Sequence, residues 1–274
     1  MSLPGGFANH RKENVVLLSL SSEDATYRDS GTFRINMGNS TETEHAAGLQ
    51  VIGSTLTHKF PNIHEYNNII SDGTTTYTLP IGFYDAGAFV AAFNALNVAG
   101  GAGITAAVVN NRVELTNNIQ PPPPPLINLQ GTSELFSMLG YTQDQMLPSG
   151  NPALPYQLPL PAGGTSIPSE EFNFSGDKKI FIECDELAHG NSIDGSDGSV
   201  HDHLVVIPIA ETQYGATVHY TPADANAFMI QFPNAKSINN TLTFRIKDSR
   251  HRLRAYPENC HVYLDMKLHY FHPH

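Results

Sequence analysis

Apolar residues recur at every second position in several short stretches of this chain. In Thr32 to Met37, the side chains of Phe33, Ile35 and Met37 alternate with polar ones. In His261 to Tyr270, Val262, Leu264, Met266, Leu268 and Tyr270 share one face, and Asp265, Lys267 and His269 share the other. A period of two predicts strands with one buried side. Less regular forms of the pattern predict strands over Asn14 to Leu20, Leu49 to Phe60, Ile63 to Ile70, Lys179 to Cys184, Leu204 to Ile209, Thr217 to Tyr220, Ala227 to Phe232 and Thr241 to Ile246.

The middle of the chain reads differently. After the Asp72-Gly73 turn, Thr74 to Leu79 is extended and β-branched, and leads towards the clearest helix, Asp85 to Asn97. Asp85 is the expected N-cap, and Phe89, Phe93 and Leu96 follow at helical spacing. Ile104 to Val109 and Arg112 to Leu115 form an expected hairpin turning at Asn110-Asn111. A second, short helix is expected over Ser133 to Leu139, capped by Ser133 and stopped at Gly140. From Gln120 to Pro168, a run of five prolines (Pro121 to Pro125) and six scattered ones disfavour long regular elements. The run itself predicts a stiff polyproline II spacer.

Short strands with turn-rich links favour a sandwich or barrel over a parallel sheet. The expected fold is therefore mainly β, a β-sandwich with a small α+β domain inserted. Its expected parts are a flexible arm (1–13), a discontinuous sandwich domain (14–73 and 169–274) and the insert with its proline-rich segment (74–168). Neither terminal segment holds enough strands to close a sandwich alone, so the two must pair.

Composition narrows the function. The chain has 274 residues, 40% hydrophobic but only 15% charged, with a net charge of -11. Charged residues usually make up about a quarter of a soluble domain, so the surface here is polar but sparsely charged, or is covered by partners. The acidic balance argues against nucleic-acid contact, which needs phosphate neutralisation. The basic cluster Arg245, Lys247, Arg250, His251, Arg252 and Arg254 is expected to be a solvated turn with local salt bridges. Two cysteines, Cys184 and Cys260, make no disulfide framework, and free buried thiols from a reducing compartment are expected. The N-terminal MSLPGGFANH lacks the apolar stretch of a signal peptide, and no run approaches a membrane span, so neither secretion by that route nor a span is expected.

No catalytic, cofactor or metal site is assigned. His201 and His203 at i and i+2 would share a strand face, but zinc needs three or four ligands, and only the distant His189 or His219 could complete the set. Asp194, Asp197 and Asp202 do not match an EF-hand loop. Cys184 lies in a strand pattern, IFIECDE, away from any helix N-terminus that would activate it. The neighbours Glu170-Glu171 and Asp185-Glu186 diverge on a strand and form no carboxylate pair across a substrate. A carbohydrate platform would have to come from Tyr84, Tyr141 or Tyr156, since there is no Trp.

One stretch carries a family resemblance. TTTYTLPIGFYDAGAFVAAFNALN, residues 74 to 97, resembles a strand-Pro-Gly-Tyr-helix segment of penton (minor capsid) proteins from virophages and polinton-like viruses with double-jelly-roll major capsid proteins. The match lies at Tyr77, Leu79, Pro80, Gly82, Tyr84, Phe89, Phe93 and Leu96, and LFSMLGY, Leu135 to Tyr141, is similar to the second short helix of the same insert. The resemblance implies a single jelly roll with an inserted domain, and a homopentamer closing the fivefold vertex of an icosahedral virion. It implies sister subunits, the major capsid protein and minor cementing proteins as partners. It also implies no enzyme activity and no cofactor, and residence at the capsid vertex after assembly inside the host cell. The alternative from another class is a carbohydrate-binding jelly-roll module acting in viral host attachment.

Overall fold

The computed structural model describes residues 13–29, 31–37, 46–99, 103–119, 126–184, 186–187, 192–193, 200–201, 203–210, 212–222, 229–236, 241–255 and 260–271. All of the expected arm but Glu13, the five-proline run and Asp194, Asp197, Asp202 and His189 lie outside them. In chain order the elements begin with β1 (Glu13–Ser21), β2 (Tyr27–Asp29), β3 (Thr32–Asn36) and β4 (Ala46–Thr57). There follow β5 (Ile69–Ser71), β6 (Thr76–Thr78), α1 (Ala86–Ala95), β7 (Ile104–Val109), β8 (Arg112–Asn117), β9 (Ile127–Gly131) and α2 (Ser133–Met138). Next come β10 (Leu147–Pro148), β11 (Tyr156–Leu160), β12 (Thr165–Ser166), β13 (Lys179–Cys184), β14 (Ser192–Ile193), β15 (Val200–His201) and β16 (His203–Pro208). The chain closes with β17 (Thr217–Tyr220), β18 (Met229–Lys236), β19 (Thr241–Lys247) and β20 (Val262–Phe271). The fold is mainly β, antiparallel throughout, with little helix.

Two compact units divide the chain: residues 1–59 with 177–274, and Phe60–Gly176. In the first, one sheet runs β1-β20-β4-β17, with β18 also on β4, and a second runs β16-β13-β19-β3-β2. The two ends of the chain do pair, since β1 lies along β20 from Glu13↔Phe271 to Ser21↔Tyr263. Alternation explains the core. Val262, Leu264, Met266 and Leu268 of β20 are buried with Leu20, Leu49 and Leu56 of their sheet. From the second sheet, Phe33, Ile35, Ile180, Ile182, Leu242, Phe244 and Ile246 are buried as well, with Phe33 stacked on Phe244 at 4.9 Å. β16 and β4 touch from one sheet to the other, and residues at every second position on both sheets are removed from water.

The second unit has its own core. Its sheets run β10-β11-β9-β5-β6 and β12-β8-β7. Leu79, Phe89, Phe93, Leu115, Leu129, Leu135, Phe136, Tyr141, Leu158 and Leu160 are all buried in one cluster. The expected insert boundaries were 74 and 168; the compact unit instead spans Phe60–Gly176, because β5 pairs with β6 and β9. Asn62 ties its two ends, donating to the carbonyls of Tyr84 and Phe174, each at 2.7 Å, and accepting from Tyr84 N–H at 2.8 Å. Asp85 caps α1 as expected, accepting from Ala88 N–H at 2.7 Å. The α2 cap is Thr132 rather than Ser133: its hydroxyl accepts from Leu135 N–H, so Ser133 is the first helical residue. Asn110 and Asn111 both take positive φ, 49° and 58°, which closes the β7–β8 hairpin in two residues.

Elsewhere the local pattern yields to tertiary context. The strand expected over Ile63 to Ile70 reduces to an isolated bridge, Ile63↔Gly82, and the three residues of β5. In the proline-rich region the elements are short, yet β11 pairs with β9 through Pro159. β10 faces only Tyr156 and Gln157 of β11, so the missing N–H of Pro159 breaks no ladder on that side.

Gly31 makes a testable point of close approach. It sits at φ 83°, and a Cβ there would collide with the backbone carbonyl of Arg254, while its own carbonyl accepts from Ile246 N–H at 2.8 Å. Gly215 has φ 87° with open space around it. Gly31→Ala is expected to cost about 3 kcal/mol and Gly215→Ala about 1 kcal/mol. Urea unfolding of the two variants, followed by tryptophan-independent far-UV circular dichroism, measures the difference; equal costs would show that the backbone contact at Arg254 relaxes freely.

Candidate functional site

β13 has two buried faces, which is unusual for an antiparallel strand with one side outward. Ile180, Ile182 and Cys184 point into the core; Phe181 and Glu183, on the opposite face, are also buried. The cover is the turn after β19. Asp248, itself fully buried, accepts from Arg250 N–H and Arg252 N–H through Oδ1, each at 2.9 Å, and binds the Arg252 guanidinium through Oδ2 at 2.8 Å. His251 N–H closes the turn on the Asp248 carbonyl, and His251 takes a left-handed φ of 59°. That conformation lays its ring over β13.

Three side chains from three elements then converge. Glu183 of β13 is the cross-strand partner of His203 on β16, at a register shift between Ile182 and Glu183. Such bulges re-aim side chains. Glu183 Oε1 lies 3.5 Å from His203 Nε2, and His203 Nε2 lies 3.2 Å from His251 Nδ1. The other carboxylate oxygen, Oε2, holds Lys247 Nζ at 2.6 Å. The three candidate ligand atoms all fall within 4.8 Å of one another. Phe181 supports both imidazoles, with centroids 4.2 Å from His203 and 4.4 Å from His251. The imidazoles are 4.9 Å apart and within 9° of parallel. A phenyl sandwiched between them would hold them nearly twice as far apart, so both rings lie on one side of Phe181, edge to edge. Lys179 Nζ stands 4.8 Å from the Phe181 centroid.

This arrangement can hold a proton between two imidazoles, or bring two nitrogens and one carboxylate oxygen to a divalent cation. The expected His201–His203 pair is not part of it. His201 ends β15, which pairs with β14, while His203 begins β16 in another sheet. His219, offered as a further ligand, hydrogen-bonds Thr55 at 3.1 Å on β17, in the opposite sheet. His251 was grouped with the basic cluster, and the expected solvated turn is only half right. Arg252 pairs locally with Asp248, but Lys247 and Arg254 pair with Glu183 and Asp177, distant in sequence, and Asp248 and Arg254 are buried; Arg254 Nη2 lies 3.8 Å from Asp177 Oδ2, and Ser249 Oγ donates to Asp177 Oδ1 at 2.8 Å.

The remaining candidates resolve into structure. Both cysteines are free and buried. Burial, with the Glu186 carboxylate beside it, pushes the Cys184 thiol strongly up, and burial pushes Cys260 up to about 12, so neither is a ready thiolate. Tyr141 is buried, its hydroxyl donates to the Ser166 carbonyl, and burial raises its pKa to about 12. Tyr84 and Tyr156 are partly buried and pack against the same core. A cleft of about 690 Å³ in the second unit is lined by Asp72, Thr74, Thr75, Tyr77 and Asn97. Burial works to raise the Asp72 pKa, but donation from Thr75 and Thr74 N–H and from the Tyr77 hydroxyl outweighs it and leaves the carboxyl below its usual range. Among the described residues no helix is long and apolar enough to cross a membrane.

No family model matches the chain, and no curated protein matches it. Two solved structures are similar over nearly its whole length. One is the mavirus penton protein, at 10% identity and a TM-score of 0.42, covering 93% of this chain and 99% of that one. The other is a chain of the Sputnik virophage particle, at 9% identity and a TM-score of 0.45, covering 93% and 97%.

The buried Glu183–Lys247 pair gives a second prediction. Removing the cation alone leaves a buried carboxylate, so Lys247→Ala is expected to cost about 3 kcal/mol. Replacing both partners by apolar residues, Lys247→Met with Glu183→Leu, is expected to recover most of that loss. Denaturant midpoints of the single and double variants decide it; a double variant as unstable as the single one would mean that the carboxylate acts through other neighbours.

Proposed function

We propose that this chain is a structural, non-enzymatic capsid subunit: a jelly roll with an inserted domain that closes the fivefold vertex of an icosahedral virion as a homopentamer. The observation that carries the reading is the strand order of the first unit. Its eight main strands in chain order are β1, β3, β4, β13, β16, β17 with β18, β19 and β20. One sheet takes them in the order first, eighth, third, sixth, and the other in the order second, seventh, fourth, fifth. That is the order expected of two interleaved Greek keys, the arrangement used by viral capsid and lectin jelly rolls. The second unit interrupts the series between the third and fourth strands.

Two further features favour a shell subunit over a lectin-like module. The residues that carry the penton resemblance have a shared physical role, since Leu79, Phe89, Phe93, Leu135, Phe136, Leu139 and Tyr141 are buried together with Tyr77, Tyr84 and Leu96 packed against them. They build the core of the insert. β1 also forms an edge of its sheet among the described residues and turns Val15 and Leu17 to solvent, Leu17 with 67% of its surface exposed. Apolar edges of this kind are normally covered by a neighbour. A cyclic pentamer supplies one through a heterologous interface that closes after five rotations. On this reading the partners are sister subunits, the major capsid protein and minor cementing proteins, and the protein resides at the virion vertex after assembly in the host cell.

Light scattering on the purified chain tests the assembly. Pentamers of about 150 kDa, five times 29.8 kDa, with five-membered rings in negative stain, are expected. A chain that stays monomeric alone, and is left out of shells when co-expressed with the major capsid protein, would overturn the reading. Retention of glycans by such a monomer would hand it to the carbohydrate-binding module.

A further inference from the structure

We propose that Glu183, His203 and His251 form a binding site for a divalent first-row transition-metal ion, with zinc the fitting probe, that fastens the 248–252 turn to the outer face of its sheet. The donor chemistry comes first. Two imidazole nitrogens and one carboxylate oxygen are a recurrent zinc set, whereas calcium and magnesium prefer oxygen alone. Zinc bonds of about 2.0–2.1 Å at tetrahedral angles set neighbouring ligand atoms roughly 3.3 Å apart. Two of the three edges, 3.2 Å between the imidazole nitrogens and 3.5 Å from His203 Nε2 to Glu183 Oε1, bracket that value, and all three atoms lie within 4.8 Å of one another. A small inward shift of the ligands would complete three corners of a tetrahedron, and the fourth falls to water.

The surroundings hold those ligands as a metal site requires. Ligand orientation depends on the groups behind the ligands. Lys247 Nζ takes Glu183 Oε2 and turns Oε1 towards His203, so the carboxylate would bind through one oxygen. Phe181 fixes the plane of both rings from beneath. Asp248 holds the turn that delivers His251, through backbone N–H groups at 250 and 252, so the ligand is positioned before a cation arrives. Without metal, His203 Nε2 and His251 Nδ1 lie within hydrogen-bond reach of each other, 3.2 Å apart, and a cation would replace that contact. The site ties β13, β16 and the turn after β19, elements far apart in sequence, which is where a cross-link adds most to stability.

The test uses the full chain, stripped with chelator, titrated with zinc chloride at pH 7.5 by isothermal calorimetry, with cobalt(II) as a visible-absorption probe. One ion per chain is expected, with the intense visible bands of tetrahedral cobalt and a rise in melting temperature on adding zinc. His203→Phe keeps the stack on Phe181, and His251→Asn suits a left-handed φ, so both variants should fold. Each is expected to weaken zinc binding at least 100-fold and to abolish the zinc-dependent rise in melting temperature. Replacing His272 and His274 controls for chelation by the histidine-rich C-terminus and should change nothing. Absence of binding, or binding that survives both site variants and disappears with His272 and His274, would overturn the proposal. Because stoichiometry is read per chain, the outcome is independent of whether the protein is a pentamer.

Discussion

β20 pairs along both of its edges at once, with β1 from Glu13 to Ser21 and with β4 from Ala46 to Leu56, and the first unit depends on that double pairing. Its inward residues, Val262, Leu264, Met266 and Leu268, are removed from water almost completely, at roughly 2 kcal/mol for each large apolar side chain. Because β20 sits between β1 and β4, about two hundred residues upstream, neither neighbour can pair as it does until β20 has been made. Contacts of that sequence separation make folding slow and the fold cooperative. They also explain how an entire second unit can interrupt the series. The chain leaves the first unit after residue 59 and returns at 177, and Phe60–Gly176 carries a core of its own, so the cost to the first unit is one longer loop.

The readable parts of the sequence were those in which a local rule and the tertiary environment agree. β3, β19 and β20 alternate cleanly because one face is core and the other is not, and Asp85 announces α1 because a cap works through residues three positions apart. Disagreement marks the places where distant residues decide. Pro159 sits in a strand because β10 stops short of it, which no window around Pro159 reveals. The insert begins at Phe60 because β5 takes a partner some sixty residues downstream, and Thr132 takes the cap from Ser133 because the helix starts one residue earlier than its composition suggested.

The Glu183–His203–His251 cluster was the least legible feature, and the reason is geometric. Its members lie on two strands and a turn, brought together by a register shift and by a left-handed residue, neither of which leaves a spacing motif. Signals existed, but separately. Glu183 shares a strand face with Phe181, which places a charge on a side that should be either wholly wet or wholly apolar. Asp248 precedes a run of cations that a buried carboxylate could organise into a turn. Reading His201 and His203 as a pair failed because that rule assumes one continuous strand, and the chain changes sheet between them.

The same cluster bears on how the surface is made. With only 15% of residues charged, each ion pair that folds inwards removes charge from an already sparse exterior. Glu183 with Lys247, Asp248 with Arg252 and Asp177 with Arg254 are all spent on fixing one turn to its sheet. A buried pair of this sort is weak evidence for stability, since an apolar core would serve as well, but it restricts the ways the turn can dock. The consequence appears at β1. Between Glu13 and Glu23 the chain has no charged residue, although lysines and other charges are the usual guards of an edge strand. A monomer would need them beside Val15 and Leu17. A subunit whose edge is covered by its neighbour would be hindered by them, because each would have to be desolvated in the contact. β1 therefore lacks the charges that usually guard an exposed edge, whereas charges around the turn after β19 order the fold from within.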